Sequence, residues 1–245
     1  MPDHHTARAS AITGSHPVPG QGLVTLRDAC VFARDGRTLL TVPALTVLRG
    51  ERLVITGPTG SGKSLLLATL AGSWAPGISF RGERTAYYSR VGFVPQRGLD
   101  ALHPLIPLGR QLRRVTGATA KRVTEVLEAA GLSDAGLQHR RPAELSGGQA
   151  QRAAVALAAL TDAPLVLADE PTSALDHESR DVMLQLLDTL IGPERTLVLS
   201  THDDVVAETL GTRRLQVSSG KVTESMAAAP PVHAPDVPGP GDKAA

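Results

Sequence analysis

Aromatic side chains are scarce in this sequence: one Trp, two Tyr and three Phe, 2% of 245 residues. A core therefore has to be assembled from Leu, Val, Ile and Ala, and the hydrophobic content of 42% is the usual supply for a globular protein. One cysteine, Cys30, excludes an internal disulfide and a cysteine-built metal cluster; its solitude fits a reducing compartment. The longest unbroken apolar run, 153–160, falls far short of the ~20 residues that a membrane-spanning helix needs. The first twenty residues have no apolar core of the signal-peptide kind. A net charge of +1 gives no basic surplus from which nucleic-acid binding would follow. These absences leave one large domain or two small ones, able to work at a membrane only by docking to a partner there.

What is present is organised around Gly57-Pro58-Thr59-Gly60-Ser61-Gly62-Lys63-Ser64, which fits G-x-x-x-x-G-K-[ST], the phosphate-binding P-loop. The short β-branched run 52–56 before it reads as a buried strand, and 65–71 after it as a helix. Strand, glycine loop and helix is the context that the motif requires. The glycines let N–H groups converge into a nest for anionic oxygens, and the helix N-terminus adds its dipole. Lys63 would reach the β- and γ-phosphates, with Leu65 next in the loop's wake. Ser64 would place a hydroxyl on Mg²⁺.

Along the rest of the chain, 1–21 and 226–245 are rich in small residues and proline and read as disordered tails. The stretch 23–32 reads as a strand, Asp35-Gly36 as a hairpin turn, and 38–48 as a second strand that Pro43 marks as an edge or bulge. Residues 77–88 are weakly patterned and could add to the sheet, and 91–94 form a short strand ending at Pro95-Gln96. Residues 97–110 are loop-like; 110–115 and 119–130 are helical, the latter capped by Thr119 and ended by Gly131. A long Ala-rich helix runs to residue 160, 165–168 is a buried strand, and Asp176 caps a helix from 177 to about 191. Residues 196–200 are another buried strand, and 215–224 a final pair turning at Gly220. Strands alternate with helices on either side of a helical insertion, which predicts an α/β core with a mainly parallel sheet.

The four apolar residues 165–168 run into Asp169-Glu170, putting acids at a strand's C-terminal end, where open α/β sheets bind ligands. Beside a P-loop, Asp169 would hold Mg²⁺ and Glu170 would polarise the attacking water.

Leu145-Ser146-Gly147-Gly148-Gln149 completes the set. With these five residues the chain resembles the ATP-binding cassette family, the nucleotide-binding subunits of ABC transporters. The resemblance covers about 23–224 and preserves the order P-loop, Gln96, 145–149, Asp169-Glu170, Ser173-Ala174-Leu175-Asp176 and His202. It implies a P-loop NTPase core (22–96 and 153–225) with an N-terminal antiparallel β subdomain and an inserted helical subdomain (97–152), and ATP and Mg²⁺ as ligands. It implies that Ser146 and Gly148 contact the γ-phosphate of ATP held by a second cassette, identical or paralogous, in a head-to-tail dimer. His202 would touch that phosphate and steady Glu170, Asp176 would couple the two sites across the seam, and Gln96 would reach toward Mg²⁺ and the water. Where the family stacks an aromatic residue on adenine, Arg34 stands, with Phe32 two residues earlier. Either could lie against the base.

The implied partners are polytopic permease subunits, with an extracytoplasmic solute-binding protein if the system imports, and no nucleic acid. The implied location is cytoplasmic, at the inner face of the membrane. About 50 residues separate Gln96 from Leu145, a length that fits transporter cassettes, and no long coiled coil of the chromosome-ATPase kind is present. The segment 101–112, ALHPLIPLGRQL, is similar to the same region of dipeptide, oligopeptide and nickel importer subunits, though no cysteine follows Cys30 where those subunits carry a Cys-containing extension. An exporter subunit and a stand-alone ATPase are the alternatives.

Overall fold

A computed structural model describes residues 21–225 except 135 and 174. The two stretches expected as tails, save Gln21, lie outside the described residues, as does Ala174. Strands β1 (Gly22–Phe32) and β2 (Thr38–Leu48) are antiparallel, closed by the Asp35-Gly36 turn, where Gly36 has φ 83° and Arg37 N donates to Asp35 Oδ1 at 3.0 Å. Pro43 lies opposite Asp28, between the pairs Arg27–Ala44 and Ala29–Val42. The irregularity that Pro43 signals falls on its neighbour: Asp28 has φ 46°, and the register of β1 shifts there against β4 (Ser79–Ala86). Gly82 of β4 makes that bulge possible, since a Cβ on it would stand 2.4 Å from the Asp28 carbonyl oxygen. β4 is weakly patterned in sequence because it is a mostly exposed edge strand that sets only Phe80 and Ala86 against the core, with Gly82 and Arg84 between them.

The remaining strands are β3 (Arg52–Thr56), β5 (Val91–Val94), β6 (Leu165–Asp169), β7 (Thr196–Thr201), β8 (Arg213–Ser218) and β9 (Lys221–Ser225). All nine form one sheet in the order β4-β1-β2-β9-β8-β3-β7-β6-β5. The block β8-β3-β7-β6-β5 is parallel throughout. The antiparallel β4-β1-β2 part joins it through β9, which is antiparallel to β8 and parallel to β2 at Thr41–Lys221.

Alternate residues of the central strands enter two different cores. Leu53, Ile55, Leu165, Leu167 and Val198 pack with β1, β2 and α1 (Lys63–Ala71). Val54, Val166, Ala168, Leu197 and Leu199 face the opposite way, with α4 (Gly147–Leu160) and α5 (His177–Ile191). Both faces are buried, which is why these strands read as continuous apolar runs.

Between β5 and α4 lie a 3₁₀ turn at Gly98–Ala101, α2 (Leu108–Thr116) and α3 (Ala120–Ala129). Thr119 caps α3 by accepting from Arg122 N at 3.2 Å. The Ala-rich face of α4 permits close packing. A Cβ on Gly98 would lie 2.4 Å from the Ala150 carbonyl carbon and oxygen, so the turn and the helix touch backbone to backbone. Asp203 accepts from Val205 N at 2.8 Å and starts α6 (Asp204–Leu210), a helix not foreseen, because seven residues are too few to display a helical period. Among the described residues no helix is long and apolar enough to cross a membrane.

Candidate active site

Four of the site segments leave the C-terminal ends of parallel strands: the P-loop after β3, Gln96 after β5, Asp169-Glu170 at the end of β6, and His202 after β7. Parallel pairing therefore gathers them along one edge of the sheet, whatever their separation in sequence.

The P-loop is shaped by three left-handed glycines, Gly57 (φ 145°), Gly60 (φ 78°) and Gly62 (φ 112°). At Gly57 a Cβ would come 2.1 Å from the Val217 carbonyl oxygen, so no larger residue fits. The β8–β9 turn ties the loop down: Gly220 N donates to Ser61 O at 2.9 Å, and Thr41 N donates to Gly220 O at 2.7 Å. Helix α1 starts behind Gly62 with no side-chain cap and no acidic residue in its first turn. Its free N–H groups face an incoming acceptor, the electrostatics of an anion site. The Ser61 hydroxyl is buried and has no hydrogen-bond partner among the described residues. Pro58, Thr59, Gly60 and Ser64 are exposed along the loop's open side, and Leu65 is half-buried.

Lys63 is buried at the floor. Its Nζ donates to Gly57 O at 2.7 Å and Pro58 O at 3.1 Å, and pairs with Glu170 Oε1 at 2.8 Å. Glu170 holds a left-handed backbone (φ 43°), and its N donates to both Ser200 Oγ (3.0 Å) and Ser200 O (3.1 Å). Its other oxygen, Oε2, lies 3.1 Å from His202 Nδ1. Burial pushes the Glu170 carboxyl up. Hydrogen bonding and charge from Lys63, then from His202, outweigh that, leaving it below the ordinary glutamate value. Asp169 Oδ1 accepts from Ser200 Oγ at 2.6 Å, and Gln96 Nε2 donates to Ser173 Oγ at 3.3 Å. A cavity of about 110 Å³ beside Glu170 is lined by Thr172, Ser173, His177, Arg180 and His202 among others, room enough for a few waters.

The donors suit Mg²⁺. Among the described residues no group of three or more His, Cys, Asp or Glu side chains could cage a metal. The oxygen donors on offer are the Ser64 hydroxyl, the Gln96 amide and the Asp169 carboxylate. So few protein ligands, with water and phosphate completing the shell, is how Mg²⁺ is ordinarily held.

The stretch 145–149 lies elsewhere on the chain's surface. Ser146 Oγ accepts from Gln149 N at 3.2 Å, and Gln149 Oε1 accepts from Ser146 N at 2.9 Å. This reciprocal box opens α4; Leu145 is buried beneath it, while Gly147 and Gly148 are exposed. Among the described residues no hydrogen bond or ion pair joins this helix start to the P-loop. Asp176 caps α5 by accepting from Ser179 N at 2.8 Å, and that hydrogen bonding lowers its pKa. Arg34 is exposed in the β1–β2 turn. The Phe32 ring carries the Arg81 guanidinium at 5.4 Å over its face, so one face of the alternative stacking partner is covered from within. Sequence reading passed over Ser200, which touches both acids of the pair. The signal was there: a serine follows Leu197-Val198-Leu199 in an otherwise apolar strand, and a buried hydroxyl in such a place needs a partner.

Comparison with known proteins adds a second line. Residues 40–173, more than half of the chain, match the family model described as "ABC transporter". A macrolide export ATP-binding/permease protein of Bartonella henselae is 36% identical over 76% of this chain, but the chain spans only 31% of that protein. A thiamine import ATP-binding protein of Jannaschia is 38% identical over 73% of this chain and 82% of its own length. Among solved structures, the dimeric structure of MJ0796, a bacterial ABC transporter cassette, is 28% identical, with TM-score 0.69 over 82% of this chain and 97% of that one. The same cassette in a post-hydrolysis state, bound to ADP and Pi, gives TM-score 0.67 at 28% identity over 82% and 98% of the two chains.

Proposed function

The chain belongs to the ABC transporter family as an ATP-binding cassette, an ABC ATPase, and on that premise we propose that it energises transport by hydrolysing ATP in a two-cassette assembly on membrane permease subunits. The observation that carries the reading is the Lys63–Glu170–His202 chain on the P-loop floor. In this reading the triphosphate lies in the P-loop against the free N–H groups of α1. Lys63 neutralises charge as the bond between β- and γ-phosphates breaks. Glu170 draws a proton from the attacking water, with His202 fixing the carboxylate. Ser64, Asp169 and Gln96 would hold Mg²⁺, which would supply further charge neutralisation there.

The exposed helix start at Ser146 and Gly148 is separate from the chain's own P-loop, which supports its use on ATP held by a second cassette, with Asp176 at the seam. The division into a core of 22–96 and 153–225 and a helical segment of 97–152 belongs to the same reading; α4 carries the chain from one to the other. Arg34 or Phe32 serves the adenine. Membrane association at the cytoplasmic face, through permeases near Gln96, is likewise part of the proposal. For cargo, the segment 101–112 supports an importer of the peptide or nickel type. Relatives named for macrolide export and for thiamine import support other cargoes, because the membrane subunit makes that choice. An export role is the second reading, favoured by the 36% identity to the macrolide export protein.

Purified protein is expected to hydrolyse ATP with Mg²⁺, and Glu170→Gln to bind ATP while turnover falls by about 10²–10⁴-fold. Turnover near the wild-type rate in that variant would remove Glu170 from the base role. Co-purification from gently solubilised membranes identifies the permease and so separates import from export; protein recovered without any membrane subunit would count against transport.

A further inference from the structure

We propose that Ser200 is a positioning residue for the acidic pair, orienting Asp169 toward the divalent cation and fixing the backbone of Glu170; the inference rests on the ABC ATPase reading above. Ser200 is wholly buried and lies opposite Asp169 in the parallel β6–β7 ladder. Its hydroxyl has one proton to give. Glu170 N donates to Ser200 Oγ at 3.0 Å, occupying that oxygen as an acceptor, so the hydroxyl proton is free to point at Asp169 Oδ1, 2.6 Å away. The direction of the bridge is thereby set: amide to hydroxyl, hydroxyl to carboxylate. Among the described residues Ser200 is the one side chain hydrogen-bonded to the Asp169 carboxylate. Without it, no side-chain hydrogen bond among the described residues fixes which way the Asp169 oxygens point.

The same serine serves Glu170 twice, since its carbonyl oxygen also accepts from Glu170 N at 3.1 Å. That pair of acceptors holds a non-glycine residue at φ 43°, a conformation that ordinary residues adopt only under restraint. A side chain of the same volume without the hydroxyl would fill the space and keep the carbonyl contact. It would lose the link to Asp169.

The test compares Ser200→Ala and Ser200→Thr with the wild type. Mn²⁺ binding in the presence of ADP is followed by electron paramagnetic resonance, nucleotide binding is measured in EDTA, and the MgCl₂ dependence of hydrolysis is recorded. Loss of a residue that orients a metal ligand weakens metal affinity by about 10–100-fold. Ser200→Ala is therefore expected to weaken Mn²⁺ binding at least about tenfold while leaving metal-free nucleotide binding near the wild-type value. Ser200→Thr, which keeps the hydroxyl, is expected to restore it. Wild-type Mn²⁺ affinity in Ser200→Ala overturns the proposal. So does a Ser200→Thr variant as impaired as Ser200→Ala, or a parallel loss of nucleotide binding in EDTA, because each points to packing alone. Should Ser200→Ala fail to fold, Ser200→Cys, somewhat larger and with only a weak donor, is read in the same way. A wild type that binds neither nucleotide nor Mn²⁺ with it overturns the ATPase reading as well, whereas a binding wild type beside an unaffected Ser200→Ala overturns only this inference.

Discussion

Lys63 has three N–H donors, and all three are engaged within the chain: two on loop carbonyls and one on Glu170. Phosphate can approach only if a partner gives way, and the charged partner is Glu170. Glu170→Gln therefore removes a competitor as well as the proposed base. Nucleotide affinity is expected to rise in that variant while hydrolysis falls, measurable by equilibrium binding beside a turnover assay; weaker binding would show that the ion pair does not compete. The pair also gives stability a pH dependence. The Glu170 carboxyl sits below the ordinary value of 4.5, so its contribution is complete above about pH 4.5 and lost as pH falls through the folded value. The stability gap between wild type and Glu170→Gln, read from denaturant midpoints, should narrow as pH drops below 4.5. A gap that widens on acidification would contradict the assignment.

At the scale of elements, the proposed function gives the start of α4 two duties on one serine. Ser146 closes the capping box, so Ser146→Ala is expected to cost about 1 kcal/mol of stability in urea unfolding. Its effect on ATP-dependent association should be far larger than that small loss implies. A variant that loses stability yet associates normally would confine Ser146 to capping. The contact between the 3₁₀ turn at Gly98–Ala101 and α4 is tighter still. With 2.4 Å between an added Cβ and the Ala150 backbone, Gly98→Ala must push turn and helix apart, at about 1–3 kcal/mol. An unchanged melting midpoint would mean that the turn is free to shift. Because Gln96 lies just before this turn, displacement there would also reach the site's edge.

For the whole molecule, the described chain holds the P-loop and the exposed helix start of α4 as two separate surfaces. Two copies placed head to tail would bring each onto the other. Glu170→Gln with ATP and Mg²⁺ is expected to elute at twice the monomer mass in size-exclusion chromatography with light scattering, and to return to monomer when nucleotide is removed. A monomer under saturating ATP would rule out an identical copy as the second cassette. The β8–β9 turn lends this surface rigidity, since Gly220 bonds Ser61 and Thr41 at once and so couples the P-loop to the antiparallel part of the sheet.

The sequence alone determined what local chemistry can determine. A glycine loop before Lys63, acids after an apolar strand and the run 145–149 before an Ala-rich helix each lie within a few residues, so their spacing is legible. The buried parallel strands were legible too, because two-sided burial leaves an unbroken apolar run. Only the tertiary structure decided what pairing across distance brings about. It placed Ser200 between Asp169 and Glu170, Glu170 on Lys63, and Gly220 under the P-loop, through strands β6, β7 and β8 that are remote in the chain. It also decided that the weakly patterned stretch 77–88 holds the edge strand β4, and that the short helix α6 exists at all: β4 is mostly exposed and α6 spans only seven residues, and both are held by neighbours that only the fold supplies.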